Sequence, residues 1–550
     1  MKLSRKTVLL SSVTAAFAVV GGGAVIAEAT ADREDEPEGD EPVEETTADP
    51  VGELLASMSL EDKVGQLFMV YVHGESADTD DPDAVASNRE RLGADNGAAF
   101  VAAYRPGGVI YFDWANGLAD PEQIARLSNG LQDASAVPLL IATDQEYGSV
   151  VRIGEPATLG ATRDTGAAEE AARIAGSELR AMGLNHNFAP DADVNVDPEN
   201  PVIGVRSFGS DPDLVADFAA AQVRGYQAGG VAVSAKHFPG HGDTSTDSHV
   251  GLPVITHTAE EWEAVDAPPF KAAIAAGTDM VMSAHLQFPA LDDSLKPATL
   301  SPPILTGLLR ERLGFTGVVV TDALDMQGVR TEFGDDRVPV LALLAGADLL
   351  LMPPDFPLAH QAVLDAVGSG ELTEERIDES VRRILTLKHS RGIVDAPEVD
   401  EGAAADAVGT DANRAAAQDI ADRSITLLAN DGTLPLASGS VLVTGWGENT
   451  TRILASALSA NGFQAEAHVT GDEPDADAIA SATAAAAGRD LVVVATRNVR
   501  AGSPQADLVA ALLDGAAPVV TAAVGTPYDA AHLPGANASL AANSYAAPSL

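Results

Sequence analysis

The sequence predicts an α/β protein: a (β/α)8 TIM-like barrel followed by a smaller α/β sandwich domain. Eight short apolar runs occur between about residues 50 and 395, amphipathic stretches such as 169–183 separate several of them, and most of the runs end in polar residues. Apolar strands that alternate with helices are typical of a parallel sheet covered on both faces. Eight such units over this length favour a closed barrel, and an open doubly wound sheet is the alternative.

Most of the predicted barrel strands are short apolar runs with a polar end. In chain order the eight runs are VGQLFMVYV, GGVIYFD, PLLIATDQE, NHNFAPDAD, VAVSAKHF, DMVMSAHLQF, GVVVTDAL and ADLLLMPP. We therefore expect the barrel to occupy residues 50–395 and its active site to lie where these strands end.

A second, short α/β sandwich-like domain is predicted over residues 426–550, after a linker and helix at 396–425. SVLVTGWG, DLVVVATRN and APVVTAAVGTPYD read as its buried strands, with a helix-rich stretch at 473–488. The loop after the first of these strands lacks the glycine spacing of a dinucleotide site and any P-loop.

The N-terminal residues predict export. In residues 1–31, basic residues precede an apolar run and AEATA offers small residues for cleavage, which is typical of a signal peptide; an uncleaved anchor is the alternative. Residues 32–49 form an acidic linker. The chain has no cysteine, which excludes disulfides and a lipoprotein anchor. We therefore expect an exported protein that is either secreted or associated with the cell envelope.

Composition narrows the classes of partner. The 550 residues include 33 Lys and Arg against 81 Asp and Glu, a formal net charge of −48. Such a surface repels nucleic acid and anionic membranes. No nucleic-acid partner is therefore expected.

The stretch KHFPGHGDTSTDSHVGLP at residues 236–253 concentrates histidines and aspartates in a glycine-rich loop. Lys236 and His237 end the fifth predicted strand. Asp247 and His249 are two residues apart, so in an extended segment both side chains can lie on one side. A carboxylate beside an imidazole orients the ring and favours its protonated form, which suits a proton donor. The residues alone leave two alternatives open: loop bracing, and a metal site.

The metal alternative uses the histidines of the same stretch. His237, His241 and His249 with Asp243 could ligate zinc, but the loop lacks the helical spacing of zinc proteases.

Further polar side chains follow other predicted strands. Asp144 ends strand three with Arg152 beyond it, Arg206 lies in the loop after strand four, His285 ends strand six and Asp322 ends strand seven. A lone aspartate at a strand end is most often a helix cap. Several polar groups that meet at one rim of a barrel favour a site instead.

These segments together resemble glycoside hydrolase family 3, and within it the β-N-acetylglucosaminidase (NagZ-type) branch. KHFPGHGDTSTDSHVGLP, DQE, NPVIGVRSFG, MSAHLQFP and TDALDM occur in the order of that family, and SITLLANDGTLPL resembles its C-terminal domain. The chain departs from the family at Tyr147, Gly148 and Ser149, where Gly-Gly-Arg is usual, and at Asp191, where the family is normally apolar.

The resemblance implies a role for each site residue. Asp322 would be the nucleophile, and His249 paired with Asp247 the acid/base. His241 and Asp243 would brace the loop. His285 could either brace the structure or contact the sugar. The residues expected to hold the terminal N-acetylglucosamine are Asp144, Arg152, Arg206, Lys236 and His237.

The implied activity is that of a retaining exo-β-N-acetylglucosaminidase that acts on peptidoglycan fragments (muropeptides) or chitooligosaccharides. It would need no metal or organic cofactor and would act as a monomer without an obligate protein partner. The alternatives are a β-glucosidase or β-xylosidase, a β-N-acetylglucosaminide phosphorylase, a metal hydrolase, and an inactive carbohydrate-binding wall protein.

Overall fold

The computed structural model describes residues 49–154, 164–395 and 398–550. The predicted signal peptide at 1–31 and all but the last residue of the predicted acidic linker lie outside the described residues. Residues 49–550 form one compact unit that contains two sheets.

The first sheet has eight parallel strands. They are β1 (Phe68–Val70), β2 (Gly108–Ile110), β3 (Leu140–Thr143), β4 (His186–Asn187), β5 (Ala232–Phe238), β6 (Met280–Ser283), β7 (Val318–Val320) and β8 (Leu350–Leu351). Their order is β7-β6-β5-β4-β3-β2-β1-β8, and a parallel bridge between Val320 and Leu349 brings the last strand beside β7. The predicted barrel is confirmed, and each of the eight apolar runs supplies one strand.

Helices surround this barrel and return the chain from one strand to the next. They are α1 (Pro50–Ser57), α2 (Leu60–Gln66), α3 (Pro82–Leu92), α4 (Gly97–Tyr104), α5 (Pro121–Ala134), α6 (Thr165–Ala181), α7 (Pro212–Ala228), α8 (Ala259–Ala264), α9 (Ala267–Ala275), a π-helix (Pro303–Arg312), α10 (Gln327–Phe333), α11 (Arg337–Ala345), α12 (Phe356–Ser369) and α13 (Glu374–Ser390).

Many of these helices begin with an Asp–Pro pair. At α7, for example, the Asp211 carboxylate accepts from the N–H of Asp213, and Pro212 occupies the first helical position. An aspartate cap satisfies a helix N–H that has no partner within the helix, and proline there loses no hydrogen bond. Local sequence therefore sets where the barrel helices start. None of the described helices has the length and apolarity that a membrane span requires.

The second sheet has six strands. They are β9 (Thr426–Asn430), β10 (Ser440–Gly445), β11 (Gln464–Val469), β12 (Leu491–Thr496), β13 (Val519–Ala523) and β14 (Ala538–Ala541), in the order β11-β10-β12-β13-β14-β9, with β9 antiparallel. The helices of this part are α14 (Glu401–Ala407), α15 (Asp411–Ser424), α16 (Glu448–Ala460), α17 (Ala476–Ala486), α18 (Pro504–Leu513) and α19 (Asp529–His532).

Sequence reasoning found the central strands of this sheet and missed three others. The buried β10, β12 and β13 are continuous apolar runs, as predicted. The edge strand β11 carries polar residues and leaves many side chains in solvent, so no apolar run marks it. The other edge strand, β9, carries Leu427 and Leu428, but both remain exposed. Two of the four residues of the short β14 are alanine, a residue that strands do not favour.

A lysine is buried where the barrel helices α2 and α13 pack together. Lys388 is fully buried, its Nζ donates to Oε1 of Gln66 at 2.8 Å, and no acidic side chain among the described residues forms an ion pair with it. Burial lowers the pKa of Lys388 from 10.5 to about 7. Between about pH 7 and pH 10.5, Lys388 is more protonated in the unfolded chain than in the folded one. The contribution of Lys388 therefore makes the free energy of unfolding increase with pH in this range.

We therefore expect Lys388→Met to stabilise the protein, most strongly near pH 6. The pKa difference corresponds to an upper limit of about 5 kcal/mol at low pH, and the gain should shrink as the pH approaches 10. Melting temperatures measured across this range test it, with the exposed Lys271→Met as the control. A gain of equal size at every pH would show that Lys388 is charged in the folded protein.

Candidate active site

The carboxyl ends of the barrel strands open into a cavity of about 360 Å³. The carboxyl rim is where parallel barrels present loop side chains to a ligand. Seven of the eight residues predicted for the site line this cavity: Asp144, Arg152, Arg206, Lys236, His237, His249 and Asp322. The eighth, Asp247, contacts His249 directly. The fold therefore brings the predicted residues to one place.

Asp322 follows β7 and lies half-buried in the cavity wall. Its Oδ1 accepts from the N–H of Ala323 at 2.8 Å, and its own N–H donates to the carbonyl oxygen of Ser283 at 3.2 Å. Burial opposes ionisation, but the neighbouring imidazoles of His285 and His237 and the Ala323 N–H hold the pKa of Asp322 below its usual value. Asp322 is therefore an ionised, fixed carboxylate at neutral pH, as a nucleophile requires.

His249 and Asp247 form a hydrogen-bonded pair in the loop after β5. Nδ1 of His249 lies 2.7 Å from Oδ1 of Asp247, and that oxygen also accepts the backbone N–H of His249 at 2.8 Å. Burial alone would raise the pKa of the Asp247 carboxyl, but these two contacts with His249 lower it below its usual value. Because the carboxylate occupies Nδ1, Nε2 is the ring nitrogen that is free to exchange a proton with a ligand.

This loop is tied to the segment that follows Asp322. The N–H groups of Gln327 and Gly328 donate to the carbonyl oxygens of His249 and Ser248, each at 3.3 Å. The imidazole of His249 is 61% exposed and lines the same cavity as Asp322. The exposed imidazole of His249 and the carboxylate of Asp322 therefore share one space.

The cavity also holds a network of charged side chains from β5 and from the loops after β3 and β4. Nζ of Lys236 lies 2.6 Å from both Asp144 and Glu146, and Arg206 forms a two-point contact with Glu146 at 2.8 and 2.9 Å. Burial opposes ionisation of Glu146, but Arg206 and Lys236 lower its pKa to about 2. Glu146 therefore fixes two cations whose remaining N–H groups can face a ligand.

Arg152 lines the same cavity, and no acidic side chain among the described residues forms an ion pair with it. Among the described residues its buried Nε has no hydrogen-bond partner, and its guanidinium lies 5.3 Å from the centroid of the Phe112 ring. A buried donor without a partner is unusual and points to a ligand oxygen as the missing acceptor.

His237 is held by an aspartate that the sequence reasoning did not single out. Its Nδ1 lies 2.7 Å from Oδ2 of Asp193, and its Nε2 lies 3.2 Å from Nη2 of Arg206. Since a guanidinium only donates, Nε2 accepts from Arg206 and Nδ1–H donates to Asp193. The neighbouring Asp191 is fully buried, and burial and Asp193 raise its pKa well above the usual value.

Asp191, Asp193 and His237 are the described groups whose ligand atoms lie close enough together to hold a metal ion, all within 4.8 Å. Nε of Arg206 is 3.8 Å from Asp191 Oδ2, and His237 already donates to Asp193. A guanidinium beside the group would repel a metal cation, so these residues fit a hydrogen-bond network better than a metal site.

The residues that the sequence suggested as zinc ligands have other partners in the structure. Nε2 of His241 lies 3.0 Å from Oγ of Ser248, and Asp243 pairs with His257 at 3.0 Å. Both residues brace the loop, as the sequence predicted. His285, for which two roles were open, is fully buried, and its Nε2 donates to the carbonyl oxygen of Ala323 at 2.9 Å, which supports the backbone beside Asp322.

Three features were not predicted: Glu146 and the exposed ring of Trp114 in the cavity wall, and Asp193, which holds His237. Glu146 directly follows Asp144 and Gln145, and Asp193 ends the fourth apolar run, so their places after strands were a usable signal. Trp114 directly follows an apolar strand, so its sequence context suggests a buried core residue.

These observations describe a (β/α)8-barrel protein with a candidate active site at the carboxyl rim of the barrel. Residues 59–387 match the glycosyl hydrolase family 3 N terminal domain. A structure of a glycoside hydrolase family 3 beta-N-acetylglucosaminidase from Paenibacillus sp. str. FPU-7 superposes with a TM-score of 0.80 at 37% identity, covering 90% of this chain and 95% of that one. The chain therefore belongs to glycoside hydrolase family 3.

Two curated relatives narrow the comparison. Beta-hexosaminidase A of Pseudoalteromonas piscicida is 38% identical over 379 residues, 62% of each chain, so the match spans less than two thirds of that protein. Beta-N-acetylglucosaminidase/beta-glucosidase of Cellulomonas fimi is 33% identical over 398 residues, 70% of this chain and 67% of that protein.

Proposed function

We propose that this protein is a retaining exo-β-N-acetylglucosaminidase. The observation that carries the proposal is the 2.7 Å contact between His249 and Asp247, with the His249 ring on the wall of the cavity that contains Asp322. Most glycosidases use two carboxylates. Here a histidine oriented by an aspartate takes the place of one of them, as in the family branch that the sequence resembles.

The charged network is suited to a terminal sugar. Asp144 can accept from sugar hydroxyls, while Lys236 and Arg206 can donate to them because Glu146 holds both cations in place. The Nε of Arg152, which has no partner among the described residues, adds a further donor, and the His237 ring lines the same cavity with both of its nitrogens engaged. A cavity of about 360 Å³ is adequate for one N-acetylated monosaccharide and little more, which favours removal of terminal residues.

In the first chemical step, an oxygen of Asp322 attacks the anomeric carbon while Nε2–H of His249 protonates the departing glycosidic oxygen. The bond from the anomeric carbon to the leaving group breaks as the bond to Asp322 forms. Asp247 stabilises the imidazolium through its 2.7 Å contact with Nδ1. The products are a glycosyl-enzyme and the released aglycone.

In the second step, His249 is neutral and Nε2 takes a proton from water, whose oxygen attacks the anomeric carbon. Asp322 leaves as a carboxylate, which its depressed pKa favours. Two inversions produce net retention. This scheme needs no metal, so we expect activity to survive dialysis against EDTA.

The substrate class is tested by comparing aryl β-N-acetylglucosaminide, β-glucoside and β-xyloside with the purified protein. We expect kcat/KM to be highest for the N-acetylglucosaminide. The β-glucosidase alternative is favoured by the name of the Cellulomonas fimi relative. A preference for the glucoside would overturn the assigned sugar specificity. It would not contradict the proposed roles of Asp322 and His249.

The same assay, run in about 10 mM phosphate, identifies the acceptor. This low ionic strength leaves charge interactions only weakly screened. A neutral His249 does not repel phosphate as a carboxylate would, so sugar phosphate is a possible second product. The net charge of −48 opposes anion approach, and we expect free sugar to exceed sugar phosphate. The reverse ratio would identify a phosphorylase.

The biological setting is also a proposal. The signal-like residues 1–31 support export, and the similarity to beta-N-acetylglucosaminidases supports peptidoglycan fragments or chitooligosaccharides as substrates. We propose that the enzyme acts as a monomer, since the described cavity is complete within one chain. Size-exclusion chromatography with light scattering would test the oligomeric state.

A further inference from the structure

We propose that Trp114 is the aglycone platform of this site, on which the leaving sugar ring stacks. The inference rests on the proposed function, and it specifies the leaving group that the site accepts: a pyranose ring, and not only a small or aryl group. It is carried by the exposure of Trp114, the arrangement of the rings around it, and its position beside the predicted sugar pocket.

Trp114 is the exposed member of a buried aromatic group. It lies in the turn Asp113–Ala115 after β2, and its side chain is 52% exposed, while Phe112 and Tyr71 beside it are 6% and 5% exposed. Ligand pockets are lined largely by apolar and aromatic side chains, and Trp114 is such a ring on the wall of this cavity.

Phe112 covers one face of the Trp114 indole, and about half of the residue's surface remains in solvent. Phe112 stacks on the indole with centroids 4.8 Å apart and an interplanar angle of 18°. Tyr71 lies 4.6 Å from Trp114 and 6.1 Å from Phe112, so it is beside the indole, roughly at a right angle to the direction of Phe112. The His73 ring is farther away, at 6.1 Å. The indole is therefore held rigidly from one face and from its side.

Contacts of the same group place Trp114 next to the predicted sugar pocket. Phe112 contacts Trp114 and also lies below the guanidinium of Arg152, 5.3 Å from the ring centroid. The residues predicted to hold the terminal sugar are largely buried, whereas Trp114 and the proton-transfer residue His249 are exposed. Trp114 therefore lies farther toward solvent than the terminal sugar, where the leaving group of an exo-acting enzyme is found.

The chemistry of this position suits a pyranose. One face of such a ring carries mainly C–H groups, which pack on an indole, while its hydroxyls need polar partners. The cavity supplies one beside the platform: Asp325, whose carboxylate is held by Arg91 at 3.3 Å, while Arg91 itself packs 4.3 Å above the Tyr71 ring. An apolar face and a carboxylate together match a sugar better than they match a flexible peptide.

The test compares a substrate that has a sugar aglycone with one that has none. N,N′-diacetylchitobiose places a pyranose in the leaving-group position, and N-acetyl-β-glucosaminyl fluoride places only fluoride there. We expect Trp114→Ala to lower kcat/KM for chitobiose about tenfold and to leave that for the fluoride within about twofold. Trp114→Phe should retain most of the chitobiose activity. Trp446→Ala removes the same side chain outside the cavity and should affect neither substrate.

The outcomes separate this inference from the proposed function. Equal losses on both substrates, or no loss on chitobiose, would overturn the platform. If the wild-type enzyme cleaves glucosides in preference to N-acetylglucosaminides, the proposed function fails, and the platform is judged in the same way with cellobiose and β-glucosyl fluoride. In that case, too, only a selective loss on the disaccharide supports it.

Discussion

Asp322→Asn is expected to abolish turnover, with kcat reduced about 10⁴-fold or more on every substrate. The amide keeps the size of the side chain and the hydrogen bond from the Ala323 N–H, but it is too poor a nucleophile to attack the anomeric carbon. Asp365→Asn is the control, because Asp365 is exposed on α12, lies outside the cavity and undergoes the same loss of charge. It should retain activity within about tenfold of wild type.

Covalent labelling then identifies the nucleophile directly. A 5-fluoro N-acetylglucosaminyl fluoride keeps the acetamido group and slows both steps, so the glycosyl-enzyme should accumulate. Mass spectrometry should place the added sugar on the peptide that contains TDALDM. Attachment to another peptide would contradict the assignment of Asp322, and initial release of the α anomer, seen by NMR, would contradict the retaining mechanism.

His249→Ala is the second variant with a large expected effect. Loss of general acid assistance should lower kcat/KM for chitobiose by about 10²–10⁴. A dinitrophenyl N-acetylglucosaminide has a leaving group that scarcely needs a proton, so its kcat/KM should fall much less. Its kcat should still decrease, because the second step lacks its base. The exposed His389→Ala, on the outer helix α13, serves as the control.

Asp247→Asn examines the pairing itself. The 2.7 Å contact with Nδ1 then loses its negative charge, and the variant should show the same dependence on leaving group as His249→Ala in milder form. Equal losses on chitobiose and the dinitrophenyl substrate, in either variant, would mean that the loop is structural and that another group supplies the proton.

Much of the site was predictable because its signals are local. Barrel strands are short apolar runs, and the residue at the end of such a strand faces the rim, which is how Asp322, Asp144 and Lys236 were located. Asp247 and His249 are two residues apart, so their contact depends on one loop. Proline and aspartate at helix starts act within a single turn.

Other features depend on residues distant in sequence that only the fold brings together. Glu146 meets Arg206 across 60 positions, and only that contact and Lys236 make its buried charge tolerable. Lys388 looks like a solvated helix lysine until packing against Gln66 removes it from water.

The sequence by itself determined the barrel, the order of its strands along the chain, the composition of the rim and the His249–Asp247 pair. Only the tertiary structure decided which charges neutralise one another, which edge strands complete the second sheet, and that Trp114 remains exposed above Phe112. The physical reason is that periodicity and capping act over a few residues, whereas burial and ion pairing depend on the distances set by the whole fold.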